Sequence, residues 1–349
     1  MKKIRIKDIA ELAGVSIGTV DRVLHNRGEV KAETREKVMK IAKELNYQPN
    51  LAARALITKQ DCRLAALLPK AKDENVFWAR HPQGITHAIR QLEAFRVEVD
   101  FYYYELQNEL EFNQKSTEIL ASQPDGVIVA PTLRKESEVF CNQLSQLSIP
   151  YVFIDTYIDN TNCLSFIGED AYQSGRVAAS LIDFGLDKDK DILIVNLTKD
   201  IENTLHLTER NQGFQSYFLD AGQNQGLRIS VEIPSADRET VNNKMDKILD
   251  SNKNIGAILV SSSKTYVIAQ YLEKRPDSDI VLVGYEVTPN NMQYLKSGGI
   301  KFLIGQRPFE QGEKAVHKLF GFISANKVPD KMEYQCIDIL NSENIDRYH

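Results

Sequence analysis

Beyond residue 62 the chain alternates short apolar runs with amphipathic stretches of helical length, and few architectures tolerate that order. The runs are Leu64 to Leu68, Val97 to Tyr103, Gly126 to Ala130, Tyr151 to Ile154, Asp191 to Leu197, Leu227 to Ile233, Ala257 to Val260, Ile280 to Val283 and Phe302 to Ile304. Between most of them lie segments such as Tyr172 to Phe184, Asn211 to Asp220 and Phe309 to Phe322. Strand followed by helix, repeated, predicts parallel sheets with crossover helices on both faces. The stretch is about 290 residues long, more than one sheet comfortably organises, so two α/β lobes are expected.

The first sixty residues follow a different rule. Apolar residues at 6, 9, 10 and 13 form one face of a short helix that Gly14 closes. Ser16 stands at an N-cap position, and Val15 and Val20 have the spacing of a hydrophobic staple for a second helix running through Val23 and Leu24. A third amphipathic segment places Val38, Ile41, Ala42 and Leu45 on one face and stops at Tyr47-Gln48-Pro49. This predicts a small all-α head over 1–49, a linker over 50–61 and a two-lobed body over 62–349. The linker contains Leu-Ala-Ala-Arg-Ala-Leu-Ile-Thr, good helix formers too few to be stable alone. Residues 1–60 hold 13 Lys and Arg against 7 Asp and Glu, whereas the rest holds 30 against 41. A basic head on an acidic body suits a polyanionic partner.

Several functional classes lack their signs. The four cysteines (Cys62, Cys141, Cys163, Cys336) form no Cys-x-x-Cys motif and no disulfide framework, which fits a reduced, cytoplasmic setting. Asp8 and Glu11 interrupt the place where a signal peptide needs an apolar core, and no apolar run approaches the ~18 residues of a membrane span. The six histidines make no His-Glu-x-x-His pair, and no Gly-x-Ser-x-Gly elbow, Walker loop or Gly-x-Gly-x-x-Gly occurs. No cofactor, metal or catalytic residue is implied, and the expectation is a non-enzyme.

Two helices joined by a tight glycine turn and braced by a third make a helix-turn-helix, whose second helix enters the major groove. Asp8-Ile-Ala-Glu-Leu-Ala-Gly-Val-Ser16, Thr19-Val20-x-Arg22-Val23-Leu24, Thr34-Arg35-Glu36-Lys37-Val38, Leu45-Asn46-Tyr47-x-Pro49-Asn50 and Ala53-Arg54-x-Leu56 occur in that order. Together they resemble the DNA-binding region of the lac-repressor family of bacterial regulators. The resemblance implies that Ser16, Ile17, Gly18 and Arg22 face the bases and that Thr19, His25, Thr34 and Tyr47 position phosphates. It also implies a hinge helix from Asn50, with Ala53 letting it sit deep and Leu56 wedging into the minor groove. Physically, Arg22 is the best reader, since a guanidinium can bond guanine O6 and N7 together. Ile17 and Gly18 depart from the polar readers of many relatives, and Asp21 beside Arg22 offers the plainer alternative of a surface ion pair.

The body resembles the periplasmic sugar-binding-protein fold that this family carries behind its head. Asn75-Val-Phe77-Trp78, Val152-Phe-Ile-Asp155, Glu209-Arg210-x-x-Gly213-Phe214, Gly284-Tyr285-Glu286 and Gly305-Gln306-x-Pro308 are its motifs here, with Gly168-Glu-Asp170 and Gly175 at the entry to the second lobe. The resemblance implies that Asn75, Phe77, Trp78, Asp155, Arg210, Ser262, Glu286 and Gln306 line a ligand cleft. Aromatic faces and hydrogen-bonding side chains of these kinds suit a sugar or related polyol. Three departures stand out: Ser261-Ser-Ser263 in place of an Asn-Asp pair, Glu286 in place of aspartate, and Thr156 where several sugar binders have arginine. Each residue also has a blander role open to it, Trp78 as core, Asp155 and Glu286 as turn caps, Arg210 as a surface charge.

The expectation is therefore a transcriptional repressor of carbohydrate-use genes that binds a palindromic double-stranded operator as a homodimer and is controlled by a sugar. The C-terminal Asn341 to His349 carries no leucine heptads, so a dimer rather than a tetramer is expected. The alternative is a carbohydrate-binding module or carbohydrate-processing enzyme with an accessory head.

Overall fold

The computed structural model describes residues 6–24, 30–45, 61–71, 77–106, 108–198, 201, 204–220, 224–275 and 279–348. The head is three helices, α1 (Ile6–Ala13), α2 (Ile17–Leu24) and α3 (Ala32–Glu44). Ile9, Ala10, Ala13, Val20, Val23, Val38 and Ala42 form its buried centre, with Val15, Leu24, Ile41 and Leu45 packed against it. Gly14 adopts φ +67°, and the Val15 amide donates to Ala10 O while the Gly14 amide donates to Glu11 O, the two bonds of a Schellman ending. The Thr19 amide donates to Ser16 Oγ at 3.1 Å, so Ser16 caps α2 as its position in the sequence predicts.

The body contains two six-stranded sheets. In the N-lobe, β1 (Cys62–Pro69), β2 (Val97–Tyr104), β3 (Gly126–Val129), β4 (Tyr151–Ile154), β5 (Ser165–Gly168) and β11 (Met332–Tyr334) lie in the order β11-β5-β4-β3-β1-β2, all parallel. In the C-lobe, β6 (Asp191–Asn196), β7 (Arg228–Glu232), β8 (Ile255–Val260), β9 (Val281–Tyr285), β10 (Phe302–Gly305) and β12 (Asp338–Leu340) lie in the order β12-β10-β9-β8-β6-β7. Only β12 runs antiparallel, against β10. Successive residues of β1 show why the runs read as continuous apolar stretches. Leu64, Ala66 and Leu68 pack with Ile85 and Leu319 on one face, and Ala65 and Leu67 pack with Phe112 and Phe140 on the other.

The chain passes between lobes three times, at Glu169-Asp170 after β5, at Gln306-Arg307 after β10 and between β11 and β12. Lateral bonds tie these crossings together. The Gln335 amide donates to Gly168 O at 2.7 Å, and Arg307 grips Asp338 through Nε and Nη2 at 2.6 and 2.8 Å.

In each lobe the two helices nearest the crossings meet through a pair of glycines. A Cβ on Gly84 would stand 1.9 Å from Phe309 O, and one on Gly312 would stand 2.3 Å from His81 O. In the C-lobe a Cβ on Gly175 would stand 2.0 Å from Arg210 O, and one on Gly213 would stand 1.8 Å from Tyr172 O. Backbone therefore lies on backbone at both crossings, which fixes the height at which Arg210 leaves its helix (Leu205–Asp220).

Candidate nucleic-acid interface and ligand cleft

On the head, α2 buries Val20 and Val23 and turns Ser16, Ile17, Gly18 and Arg22 outward. Ile17 is 52% exposed, a large apolar side chain left in water on a helix whose apolar face is already used. Arg22 is exposed and its Nε donates to Gly18 O at 3.3 Å, which leaves its outer nitrogens available. Thr19 and Thr34 are half-buried, and the Thr19 hydroxyl meets Ser16 Oγ at 2.9 Å. His25, Tyr47, Asn50, Ala53 and Leu56, with the rest of 50–60, lie outside the described residues, as does Asn75.

Between the lobes is a cleft of about 660 Å³ lined by Phe77, Trp78, Asp155, Arg210, Ser262, Glu286 and Gln306 among others. These come from separate motifs, and they converge because the C-terminal ends of parallel strands face the crevice. Asp155 follows β4 and Glu286 follows β9, and the two are built alike. Their φ angles are +68° and +72°, in the left-handed region that a non-glycine residue adopts at a cost of order 1 kcal/mol. Each amide donates to the neighbouring strand, Asp155 to Ile167 O at 3.2 Å and Glu286 to Ile304 O at 2.9 Å. A buried amide side chain secures each turn. Gln311 accepts from the Asp155 amide at 2.9 Å and donates to Gln306 O, and Asn291 Nδ2 donates to Ser263 O, Tyr285 O and Glu286 O. Neither Gln311 nor Asn291 belongs to a motif read from the sequence.

Arg210 is fully engaged by protein. It is 2% exposed; Nε and Nη2 donate to Glu169 Oε1, the first at 2.9 Å, Nη1 donates to Ser261 O at 2.7 Å, and the guanidinium carbon lies 3.8 Å from the Tyr285 ring centroid. It is therefore no surface charge, and its donors point at Glu169 rather than into open space. That partner went unassigned in the sequence because it lies 41 residues away, on a crossing segment. Gln306 Nε2 likewise donates to Glu286 Oε1, and Thr156 Oγ1 donates to Asp155 Oδ2 at 2.9 Å. Trp78 is 4% exposed, edge-on to Phe77 and stacked on His81 at 4.9 Å, so it is core and cleft wall together. Ser262 Oγ is buried with no hydrogen-bond partner among the described residues.

Burial governs the protonation of this floor. It pushes the Asp155 carboxyl up to about 6 against the opposing pull of Arg210 and the Thr156 hydroxyl. Glu286 is held well above the ordinary carboxyl range by burial, with Arg210 opposing and Glu169 and Asp155 adding to the rise. Glu169 is raised by burial too, although Arg210 works against it. Burial opposes the charge of Arg210, but Glu169, Tyr285 and Glu286 outweigh it and keep the guanidinium charged. His206, at the same wall, is lowered to about 3 by burial and by Arg210.

Two parallel-sheet lobes, three crossings and a strand-end cleft define a periplasmic-binding-protein-like domain, here preceded by a helix-turn-helix. Residues 65–327 match the family model of the periplasmic binding protein domain, and residues 5–50 match that of bacterial regulatory proteins of the lacI family. The chain belongs to the periplasmic binding protein domain family and, through its head, to the lacI family of bacterial regulatory proteins. The ribose operon repressor of Bacillus subtilis (strain 168) is 26% identical over 328 residues, 91% of each chain. That of Lactococcus lactis subsp. lactis (strain IL1403) is 26% identical over 285 residues, 80% of each. A Bacteroides fragilis crystal structure assigned to the LacI transcriptional regulators superimposes with a TM-score of 0.78 at 28% identity, covering 83% of this chain and all of that one. Among the described residues, no helix is long and apolar enough to cross a membrane.

Proposed function

We propose that this chain is a DNA-binding transcriptional regulator, a repressor of sugar-use genes, whose hold on its operator is set by a sugar or related polyol in the cleft. The observation that carries it is the joining, in one chain, of an outward-facing α2 to a cleft built from both lobes. The likeness to two ribose operon repressors, over 80% and 91% of the chain, supports the same reading.

In this reading Arg22 reads a guanine, Ile17 touches thymine methyls, Ser16 faces the bases beside them, and Thr19, His25, Thr34 and Tyr47 hold the backbone. Gly18 lets α2 approach closely, while Asn50, Ala53 and Leu56 belong to a hinge that bends the DNA. Two chains form a symmetric dimer, and closure of the lobes changes the spacing of their heads, so ligand and operator affinities are linked. The cleft performs no chemistry in this account; its carboxylates accept hydrogen bonds.

Selection of duplexes from a random library by the full-length protein, with and without a pool of sugars and sugar phosphates, tests the proposal. Enrichment of a palindrome that depends on the pool is expected, and no enrichment in either arm would overturn it. Arg22→Ala should lose ~1–3 kcal/mol at one base pair of each half-site, whereas a uniform loss across sequences would make Arg22 a phosphate contact.

A further inference from the structure

Among the described residues, the floor of the cleft holds the carboxylates Asp155 and Glu286 and the cation Arg210, with Glu169 buried behind it against the guanidinium. The cation is already committed. Its Nε and Nη2 both turn to Glu169, its Nη1 to a backbone carbonyl, and its face to Tyr285. The position after Asp155 is Thr156, which supplies a hydroxyl and no charge. His206, 3.4 Å from that hydroxyl, is held neutral by burial. The remaining cations that line the cavity, Arg238, Lys264 and Lys274, lie at or just beyond the ends of two C-lobe helices, and Arg238 and Lys274 are exposed to solvent.

Asp155 and Glu286 are each more than nine-tenths buried, and each has one oxygen in use. Oδ2 of Asp155 takes the Thr156 hydroxyl and Oε1 of Glu286 takes the Gln306 amide. Their second oxygens have no hydrogen-bond partner among the described residues, and both side chains line the cavity. Arg210 pulls on both carboxylates but is itself paired with Glu169, so the cluster carries more acid than base, and burial and the neighbouring acids Glu169 and Asp155 make the ionised form of Glu286 costly. A neutral polyol would satisfy their hydrogen bonds and leave the charge. Among the described residues no three His, Cys, Asp or Glu side chains converge to hold a metal ion. A cationic ligand group would supply the charge that Arg210, given over to Glu169, does not.

We infer that the effector is a polyol carrying a protonated amine, an amino sugar or an aminocyclitol, with its ammonium group seated between Asp155 and Glu286. The assignment rests on the cleft being the effector site, as proposed above, and narrows what enters it. An ammonium brings three donors in a compact shape, and the same cavity wall offers two carboxylate oxygens and the unpartnered Ser262 Oγ as acceptors. The charged pair is desolvated, so it discriminates strongly against a ligand lacking the charge.

Isothermal titration of the full-length protein tests this with glucosamine, galactosamine, mannosamine and scyllo-inosamine. Each is set against its hydroxyl counterpart and its N-acetyl derivative, which keeps the nitrogen and loses the charge. At least one amine should bind roughly tenfold or more tightly than both of its counterparts. Glu286→Gln and Asp155→Asn, which keep shape, should each remove most of that preference while circular dichroism remains that of the folded protein. Tight binding of a neutral sugar with its amine no better would overturn the inference and leave the regulator reading standing. Absence of binding by all four amines would overturn it as well, and preference for the N-acetyl forms would point to amide recognition in its place. Operator selection by the same preparation reports separately on the regulator reading, so the two can fail independently.

Discussion

The N-lobe and the C-lobe solve the same structural problems with matching parts but carry different electrostatics. Each has a pair of helices crossing through reciprocal glycines, Gly84 with Gly312 and Gly175 with Gly213. Each ends a strand with an acid at positive φ that a buried amide secures, Gln311 for Asp155 and Asn291 for Glu286. Among the described residues, the C-lobe alone adds a buried ion pair, between Arg210 on its helix and Glu169 on the segment arriving from β5. The corresponding N-lobe contact is neutral, Gln311 donating to Gln306 O on another crossing. One crossing is therefore tied to the C-lobe by charge, and another is tied to the N-lobe by dipoles.

The sharpest way to break this comparison is to remove Arg210. Arg210→Ala leaves Glu169 buried and unpaired, and a loss of about 3–5 kcal/mol in chemical denaturation is expected, with the transition of the C-lobe affected most. Replacing both partners by apolar residues, Arg210→Met with Glu169→Leu, should recover most of that loss. Equal instability of the single and double variants would show that geometry, and not charge, holds the crossing. The glycine crossings come next. Gly84→Ala and Gly175→Ala each drive a methyl into a carbonyl and should cost about 1–3 kcal/mol. Gly175→Ala should also displace Arg210 and weaken ligand binding, whereas Gly84→Ala should leave Arg210 in place; equal effects on ligand titrations would erase the asymmetry.

The smallest effect is on pH. Asp155 has its folded carboxyl raised to about 6, so its favourable neutral form is fully present below the ordinary value near 3.8 and is lost as pH rises through 6. Arg210 and Thr156 oppose this rise, and Glu169 adds to it. Asp155→Asn, neutral throughout, should melt above the wild type at pH 7.5, and the gain should vanish near pH 4. A difference that does not vary with pH would place its origin in packing.

Much of the fold was legible because its signals are local. The Val15–Ser16–Val20 start of α2 and the continuous apolar runs of β1, β3, β4 and β6 are visible in adjacent residues. The strands at Ser165–Gly168, Met332–Tyr334 and Asp338–Leu340 are short and broken by Ser165, Glu333 and Asp338, and they form by pairing with other strands rather than from a local signal. The cleft shows the same division. Asp155, Glu286, Gln306 and Arg210 are visible as polar residues that break apolar runs or sit in ordered motifs. Glu169, Gln311 and Asn291 are not, because their roles depend on which carbonyl or guanidinium a remote segment brings to them. The family resemblance implies that Arg210 lines the cleft, where it stands, and its burial against Glu169 makes it a structural charge as well.

The central claim is that the cleft and the head are coupled, and reciprocity tests it most directly. The affinity of the full-length protein for its selected palindrome would be measured by fluorescence anisotropy with and without saturating cleft ligand, and the affinity for that ligand by calorimetry with and without the duplex. The account predicts that both affinities change by the same factor, between about 5-fold and 150-fold. An operator affinity that does not move when the cleft is filled would contradict it.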